Sequence, residues 1–103
     1  MSVLLEFSMF PTDKGESVSN DVSKVISMVR DSGIPYKLTP MGTVIEADTM
    51  NEALNIVQKA HDLLASDADR IYSSIKIDVR KNKENQLAGK VESVEKKIGQ
   101  VNK

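Results

Sequence analysis

Two carboxylates and one amine are predicted to lie close together, where they could share one chemical role. Glu6, Glu46 and Lys76 each fall at an outward-facing position of a predicted strand. Two carboxyl groups near a lysine could divide general acid and general base roles, because close packing pushes their pKa values apart. The three charges could instead neutralise one another at a ligand or subunit contact, or remain solvated. Because perturbed carboxylates mark catalytic sites only statistically, we favour pairing with a ligand or a second subunit.

Three further polar residues are candidates for a site. His61 lies beside the apolar stripe of a predicted helix and could face a ligand, although a half-buried, hydrogen-bonded histidine is the more common arrangement. Ser17 and Ser19 precede another predicted helix, where serine is a favoured N-cap. If that helix start faces a pocket, its free amides could also receive an anion or a polar ring atom.

Composition excludes several classes of chemistry. The chain has no cysteine and one histidine, which leaves no disulfide, thiolate metal site, cysteine nucleophile or histidine-rich metal site. We therefore expect no cofactor. Residues 1–75 carry 6 basic and 11 acidic side chains, whereas residues 76–103 carry 8 and 4. The lysines of the basic segment alternate with glutamates and no aromatic residue interleaves, which argues against nucleic-acid binding.

Length and hydropathy indicate one domain spanning residues 1–103. A chain of 103 residues can bury one modest core, and an aromatic content of 4% makes that core aliphatic. The N-terminus has no basic region followed by a long apolar run, so we expect neither a secretory signal nor a membrane span. The default compartment is the cytoplasm.

Apolar and polar residues alternate in four segments, which predicts four strands at residues 3–10, 36–39, 43–48 and 70–80. The turn at residues 40–42 joins the second and third strands in an antiparallel hairpin, and we expect Gly42 to supply the positive φ that such turns demand. The sheet therefore contains at least one hairpin.

Three amphipathic helices separate or follow these strands. The first begins at Ser17 or Ser19 and ends before Gly33. The second begins with a capping box formed by Thr49 and Glu52, and its core stripe comprises Ala53, Leu54, Val57, Ala60 and Leu64. The third has a narrow stripe of Leu87, Val91, Val94, Ile98 and Val101. That stripe needs a surface, either on its own domain or on a second subunit.

The element order βαββαβ predicts an α+β, ferredoxin-like sandwich with a four-stranded antiparallel sheet and an extra C-terminal helix. Both crossover helices then cover one face of the sheet. The other face, which we call the open face, should carry Glu6, Ser8, Val44, Glu46, Tyr72, Ser74, Lys76 and Asp78. Its mixture of polar and apolar residues indicates a ligand or partner, and an exposed sheet edge favours pairing between chains.

Four segments are informative when taken together: GESVS at residues 15–19, SGIPYKLTPMGTVIEAD at 32–48, IKIDVR at 75–80 and KVESVEKK at 90–97. They resemble the small thiamine-binding protein family, which is related to the YkoF-like proteins. The resemblance spans nearly the whole chain, and the block from 32 to 48 is its specific part.

The resemblance implies a ferredoxin-like fold, a homo-oligomer of two or four subunits, and non-catalytic binding of thiamine or its hydroxymethylpyrimidine moiety. An aminopyrimidine can stack on apolar side chains and hydrogen-bond to a carboxylate, and a thiazolium cation favours acidic surroundings. From the predicted positions on the strands, we expect Glu6 and Glu46 to contact the ligand, with Lys76 beside them on the same face. Ser8 and Thr43 could orient the ring.

Ser17 or Ser19 could reach that ligand from the first helix. Two departures from the family pattern, Asp21 in place of an aromatic residue and residues 12–14 in place of a small glycine-rich loop, should border the pocket. Two alternatives stay open: a purely structural oligomeric domain, and a small hydrolase or isomerase that uses Glu6, Glu46 and His61.

Overall fold

The computed structural model describes residues 1–15 and 18–103 and contains four strands and three helices in the described part of the chain. In chain order they are β1 (Ser2–Pro11), α1 (Ser19–Asp31), β2 (Tyr36–Thr39), β3 (Gly42–Ala47), α2 (Met50–Ala65), β4 (Ile71–Arg80) and α3 (Gln86–Ile98). The predicted elements are all present, with ends that move by a few residues. The predicted helix cap at Ser17 lies outside the described residues.

The sheet is antiparallel with strand order β2-β3-β1-β4, which confirms the predicted ferredoxin-like connectivity. Its register places Glu6 opposite Val44 on one side and Lys76 on the other. Because side chains alternate along a strand, these three residues share one face of the sheet. The first and third strands are the central pair, as predicted.

The core lies between the sheet and the two crossover helices. Alternate residues of β1 supply its centre, and α1 and α2 pack over β1 and β3. The buried hydrophobic residues are Val3, Leu5, Phe7, Met9, Val25, Val29, Ile45, Ala47, Ala53, Ile56, Ala60 and Leu64. The core is aliphatic apart from Phe7, as the composition predicts.

Helix α2 confirms one prediction and corrects another. Thr49 caps it, since its hydroxyl oxygen accepts a hydrogen bond from the Glu52 amide at 3.1 Å. The buried stripe, however, contains Ile56 in place of Leu54, which is 44% exposed. The sheet lies against a face of the helix rotated by about half a turn from Leu54, so the predicted stripe was wrong at that position.

Strand β4 is an edge strand that the helices leave largely uncovered. Its helix-side residues Ile75, Ile77 and Val79 are 41%, 40% and 41% exposed, although their partners Phe7, Leu5 and Val3 on β1 are buried. The ten residues of β4 pair with β1 on one side only. The result is a row of apolar side chains beside a free strand edge.

Helix α3 packs on the open face, against β1 and β3. The stripe of α3 is only partly covered: Leu87 and Val91 are half-buried, whereas Val94 and Ile98 are exposed. The predicted open face is therefore not wholly open, because this helix crosses one end of it and leaves a groove on either side. No helix in the described residues is long and apolar enough to cross a membrane.

Candidate functional site

Glu6 and Lys76 meet on the open face as predicted. The Lys76 Nζ lies 3.1 Å from the Glu6 Oε1, and the side chains are 78% and 38% exposed. An exposed ion pair of this kind contributes at most about 1 kcal/mol, because water screens both charges. The Glu6 carboxylate is therefore readily available to another cation.

Glu46 lies on the same face, but its carboxylate is hydrogen-bonded to other residues of the protein. Its carboxylate accepts hydrogen bonds from the Ser2 hydroxyl at 2.5 Å and from the backbone amides of Gln86 and Leu87 at 2.8 and 3.0 Å. Those amides belong to the first turn of α3, whose free N–H groups attract a negative charge. Glu46 thus anchors α3 to the sheet. The three residues therefore do not form the single group that was predicted: Glu6 pairs with Lys76, whereas Glu46 anchors α3.

Two opposing effects set the pKa of Glu46. Burial beneath α3 raises it, but the hydrogen bonds from Ser2, Leu87 and Gln86 together outweigh burial and hold the pKa below its ordinary value of 4.5. The carboxylate is consequently ionised at neutral pH. Asp78 supports the same docking, since its hydrogen bond with Lys90 lowers the Asp78 pKa.

Replacing Glu46 with glutamine should make the fold less stable at neutral pH by about 1–2 kcal/mol, the usual value of a lost cap or charged hydrogen bond. A lowered folded-state pKa means that this contribution is present above the unfolded-state pKa of 4.5 and is lost as pH falls through the folded value. Urea unfolding of both proteins between pH 7 and about pH 3 measures this. A difference in unfolding free energy between the two proteins that stays constant down to the lowest pH would contradict the anchoring role of Glu46.

A cavity of ≈ 320 Å³ lies where α1, the end of β1 and the β2–β3 hairpin meet, and we call it the hairpin cavity. Its walls are mainly apolar, and the lining residues are Phe7, Ser8, Met9, Phe10, Val18, Val22, Val25, Ile26, Leu38, Thr39, Pro40, Met41, Gly42 and Thr43. Such apolar walls with a few polar groups are typical of small-molecule sites, whose volumes start at about 300 Å³.

Strand register creates the hairpin cavity. The pairing of β1 with β3 runs only as far as Phe7 opposite Thr43, whereas β1 continues to Pro11 alongside β4. The β3-facing edge of the last β1 residues is thereby left open. Gly42 does not have the positive φ predicted for this turn. A Cβ there would lie 3.0 Å from the Phe7 carbonyl oxygen and 3.6 Å from the Glu6 Cγ, so the lack of a side chain lets the two strands approach closely at this junction. The Glu6 side chain therefore lies close to Gly42, which forms part of the cavity wall, although Glu6 itself does not line the cavity.

Two predicted site residues, Ser8 and Thr43, line the hairpin cavity. They come from opposite faces of the sheet: Ser8 shares the open face with Glu6, whereas Thr43 is 3% exposed and faces the helices with Ile45. Thr43 can therefore act only from inside the cavity. The neighbouring Thr39 hydroxyl is engaged within the hairpin, where it donates to the Gly42 carbonyl at 2.8 Å.

The start of α1 differs from the prediction. Val18 occupies the N-cap position and Ser19 is the first helical residue, so Ser19 does not cap the helix. Its backbone carbonyl instead accepts a hydrogen bond from Ser23. Ser17, the other predicted site residue here, lies outside the described part of the chain. The wall that α1 gives to the hairpin cavity is formed by Val18, Val22, Val25 and Ile26.

The two departures from the family pattern do not line the hairpin cavity. Asp21 is half-buried on α1 but is not among the cavity residues. Asp13 accepts a hydrogen bond from the Asp69 amide at 2.8 Å, and Lys14 pairs with Asp67 at 3.3 Å. The loop at residues 12–14 is thus tied to the α2–β4 connection.

His61 does not join the two glutamates. It projects from α2, which packs on the helix side of the sheet, whereas Glu6 and Glu46 lie on the open face. Its ring is 52% exposed, and its Nδ1 lies 3.5 Å from the Asp62 carboxylate. The catalytic grouping of Glu6, Glu46 and His61 is therefore not assembled. Within the described ranges, no three His, Cys, Asp or Glu residues are placed to hold a metal ion.

Several residues of the site were not predicted. The cavity-lining residues Val22, Ile26 and Leu38 were interpreted from the sequence only as ordinary members of amphipathic elements. The anchoring role of Glu46 was also missed, although one signal was available: in the strand register Ser2 lies diagonal to Glu46, within reach of its side chain.

Fold and site together define a class: small four-stranded α+β sandwiches with a ligand-sized cavity at the hairpin end. The chain belongs to the thiamine-binding protein family, whose sequence profile, described as "Thiamine-binding protein", matches residues 5–95. The resemblance noted in the sequence is thereby confirmed.

Relatives and solved structures agree with this membership. A UPF0045 protein of Mycobacterium bovis is 42% identical over 96 residues, which are 93% of this chain and 94% of the relative. A crystal structure of a hypothetical protein from Methanocaldococcus jannaschii is 39% identical, covers 90% of this chain and 95% of that one, and superimposes with a TM-score of 0.81. A domain of unknown function from Bacillus cereus, 29% identical with 88% of each chain covered, has a TM-score of 0.78.

Proposed function

We propose that this protein binds thiamine or its hydroxymethylpyrimidine moiety in the hairpin cavity, without turnover, as a carrier or sensor. The observation that carries the proposal is an apolar cavity with a weakly engaged carboxylate, Glu6, standing beside it. Membership of the thiamine-binding protein family supports the choice of ligand.

The cavity suits an aromatic ring with polar edges. Phe10 and Leu38 provide faces against which a pyrimidine can stack, and the hydroxyls of Ser8 and Thr43 can hydrogen-bond to ring nitrogens or the amino group. In this arrangement the ring occupies the cavity and the rest of the ligand extends towards the open face. In this proposal Glu46 holds α3 and does not contact the ligand, because both of its oxygens accept hydrogen bonds from that helix and it does not line the hairpin cavity.

The charge of the ligand explains the part played by Glu6 and Lys76. Thiamine carries a thiazolium cation, which we place beside Glu6, in competition with the Lys76 ammonium. We therefore expect Glu6→Gln to weaken thiamine binding by about tenfold or more, as for loss of a charge-assisted contact, and to weaken binding of the neutral pyrimidine much less. Lys76→Met should tighten thiamine binding by about two- to fivefold, the scale of an exposed ion pair.

Isothermal titration calorimetry with thiamine and with hydroxymethylpyrimidine measures both effects. Asp78→Asn is the matched control, since it removes another carboxylate from the same face without removing Glu6. Equal losses for the charged and the neutral ligand would contradict the proposed role of Glu6. Unchanged ligand concentrations after prolonged incubation, followed by chromatography, are expected of a binding protein, and consumption of either ligand would contradict it.

We also propose that the protein assembles into a homo-oligomer through β4. The free edge of this long strand and the exposed row of Ile75, Ile77 and Val79 support this choice, because pairing of two such edges would satisfy the backbone and cover the apolar row. This places the ligand-binding face near a subunit boundary, since Lys76 lies on the same strand.

Lysine at both Ile75 and Ile77 should convert the oligomer to a monomer, because two charges would have to be buried in the contact. Analytical ultracentrifugation measures the change. The control carries lysine at Val94 and Ile98, the exposed apolar residues of α3, and should retain the native mass. A monomer in the control and an intact oligomer in the β4 variant would place the interface on α3 instead.

A further inference from the structure

A basic groove lies between the end of β4, the β4–α3 loop and one flank of α3, and none of its lining residues comes from β3. It has a volume of ≈ 490 Å³, and its lining residues are Arg80, Lys83, Gln86, Gly89, Lys90, Glu92, Ser93 and Lys96. Four cations line it against one carboxylate. The hairpin cavity, the cleft beside β2 and β3, and the cavity at the end of β3 have fewer cationic lining residues.

The basic groove exists because the fold separates charges that alternate in the sequence. Glu84 lines a different cavity at the end of β3. Glu95 faces the other flank of α3, where its carboxylate accepts hydrogen bonds from Lys103 and from the Val101 amide. Of the three glutamates that alternate with the lysines of this segment, Glu84 and Glu95 therefore lie outside the groove, and Glu92 lines it.

Three of the four cations form no ion pair with any described residue. Lys90 is engaged by the Asp78 carboxylate at 2.5 Å, whereas Arg80, Lys83 and Lys96 take part in no salt bridge in that part of the structure. Like charges held in one groove repel one another, so an anion that bridges them is bound favourably.

We propose that the basic groove binds a small polyphosphate anion, such as a diphosphate or triphosphate group. The planar guanidinium of Arg80 can grip two phosphate oxygens, and Lys83 and Lys96 add point charges on either side. Gln86 and Ser93 offer neutral donors, and Gly89 leaves the floor of the groove free of a side chain. The groove gathers these cations in one place without an interleaved aromatic side chain, which suits a compact anion better than an extended nucleic acid.

This site is separate from the hairpin cavity, with which it shares no lining residue. Its occupation does not depend on the proposed thiamine site. It does depend on α3 staying docked, because one wall of the groove is that helix. Loss of the Glu46 anchor should therefore also weaken polyphosphate binding.

The test is an NMR titration of the full chain with inorganic tripolyphosphate, with sodium sulfate at matched ionic strength as the reference. We expect saturable shifts of the Gly89 and Ser93 amides with tripolyphosphate and much smaller shifts with sulfate. Lys83→Gln combined with Lys96→Gln should weaken binding by about tenfold or more. The matched control, Lys81→Gln combined with Lys97→Gln, removes the same charge from the adjacent positions outside the groove and should change affinity less than about twofold.

Equal losses in the two double variants would overturn the proposal, because they would show a response to net charge alone. Shifts with tripolyphosphate that match those with sulfate would overturn it as well. So would an RNA oligonucleotide that binds in a way sensitive to Lys83 and Lys96 while tripolyphosphate produces no shift. Retention of thiamine binding by the groove variant would confirm that the two sites are independent.

Discussion

Replacing Val22 with tryptophan should reduce thiamine affinity by on the order of 100-fold, a loss of about 2.7 kcal/mol in binding free energy. Val22 is half-buried on α1 and forms part of the wall of the hairpin cavity. An indole at this position would occupy the space that we assign to the pyrimidine ring. Calorimetry measures the affinity, and the midpoint of thermal unfolding reports whether the fold is retained.

The chain offers a matched control for this change. Val91 is also half-buried on a helix and lines the cleft of ≈ 480 Å³ between α3 and the β2–β3 side of the sheet. Val91→Trp should leave thiamine binding within about twofold of the native value. The chain has no natural tryptophan, so fluorescence reports the environment of the new indole in either variant. Loss of binding in Val91→Trp with retention in Val22→Trp would move the ligand to the α3 cleft.

Replacing Leu64 with alanine should destabilise the protein by about 2–5 kcal/mol, which is the range for leucine-to-alanine changes in a packed core. Leu64 is 1% exposed and belongs to the core cluster beneath β1. Native domains of this size have a total stability of about 5–15 kcal/mol, so the variant could lose a large share of it. Urea unfolding followed by circular dichroism measures the change.

Leu54→Ala is the control, because both leucines belong to the apolar stripe predicted for α2 and only the structure separates them. Leu54 is 44% exposed, and its truncation should cost less than about 1 kcal/mol. The same helix, residue type and substitution are compared, so helix propensity cancels. Similar losses at both positions would mean that α2 is rotated about its axis relative to this structure.

Local patterns in the sequence were enough for the elements and their connectivity. Strict alternation in β1 and β4 identified both strands, and the Thr49 cap identified the start of α2. The order of elements then led to the strand order, since few topologies connect βαββαβ without crossing loops. The ion pair of Glu6 with Lys76 followed from that topology and the alternation.

Long-range contacts could not be read from the same patterns. The docking of α3 on the sheet depends on hydrogen bonds from residues 86 and 87 to Glu46, about forty positions away, which alternation does not encode. The exposure of Ile75 and Ile77 depends on where α2 crosses the sheet, which periodicity leaves open. The basic groove could not be predicted for a related reason. Charged residues that are neighbours in the sequence of a helix lie on different sides of that helix.

The most direct test of the proposed function is an amide NMR titration of the native protein with thiamine. We expect saturable shifts concentrated at Ser8, Gly42 and Thr43, with small changes at Val91 and Ser93 on α3. Shifts centred on Val91 and Tyr36 would place the ligand in the α3 cleft and contradict the hairpin cavity. An unchanged spectrum with thiamine and with hydroxymethylpyrimidine would contradict the proposed function itself.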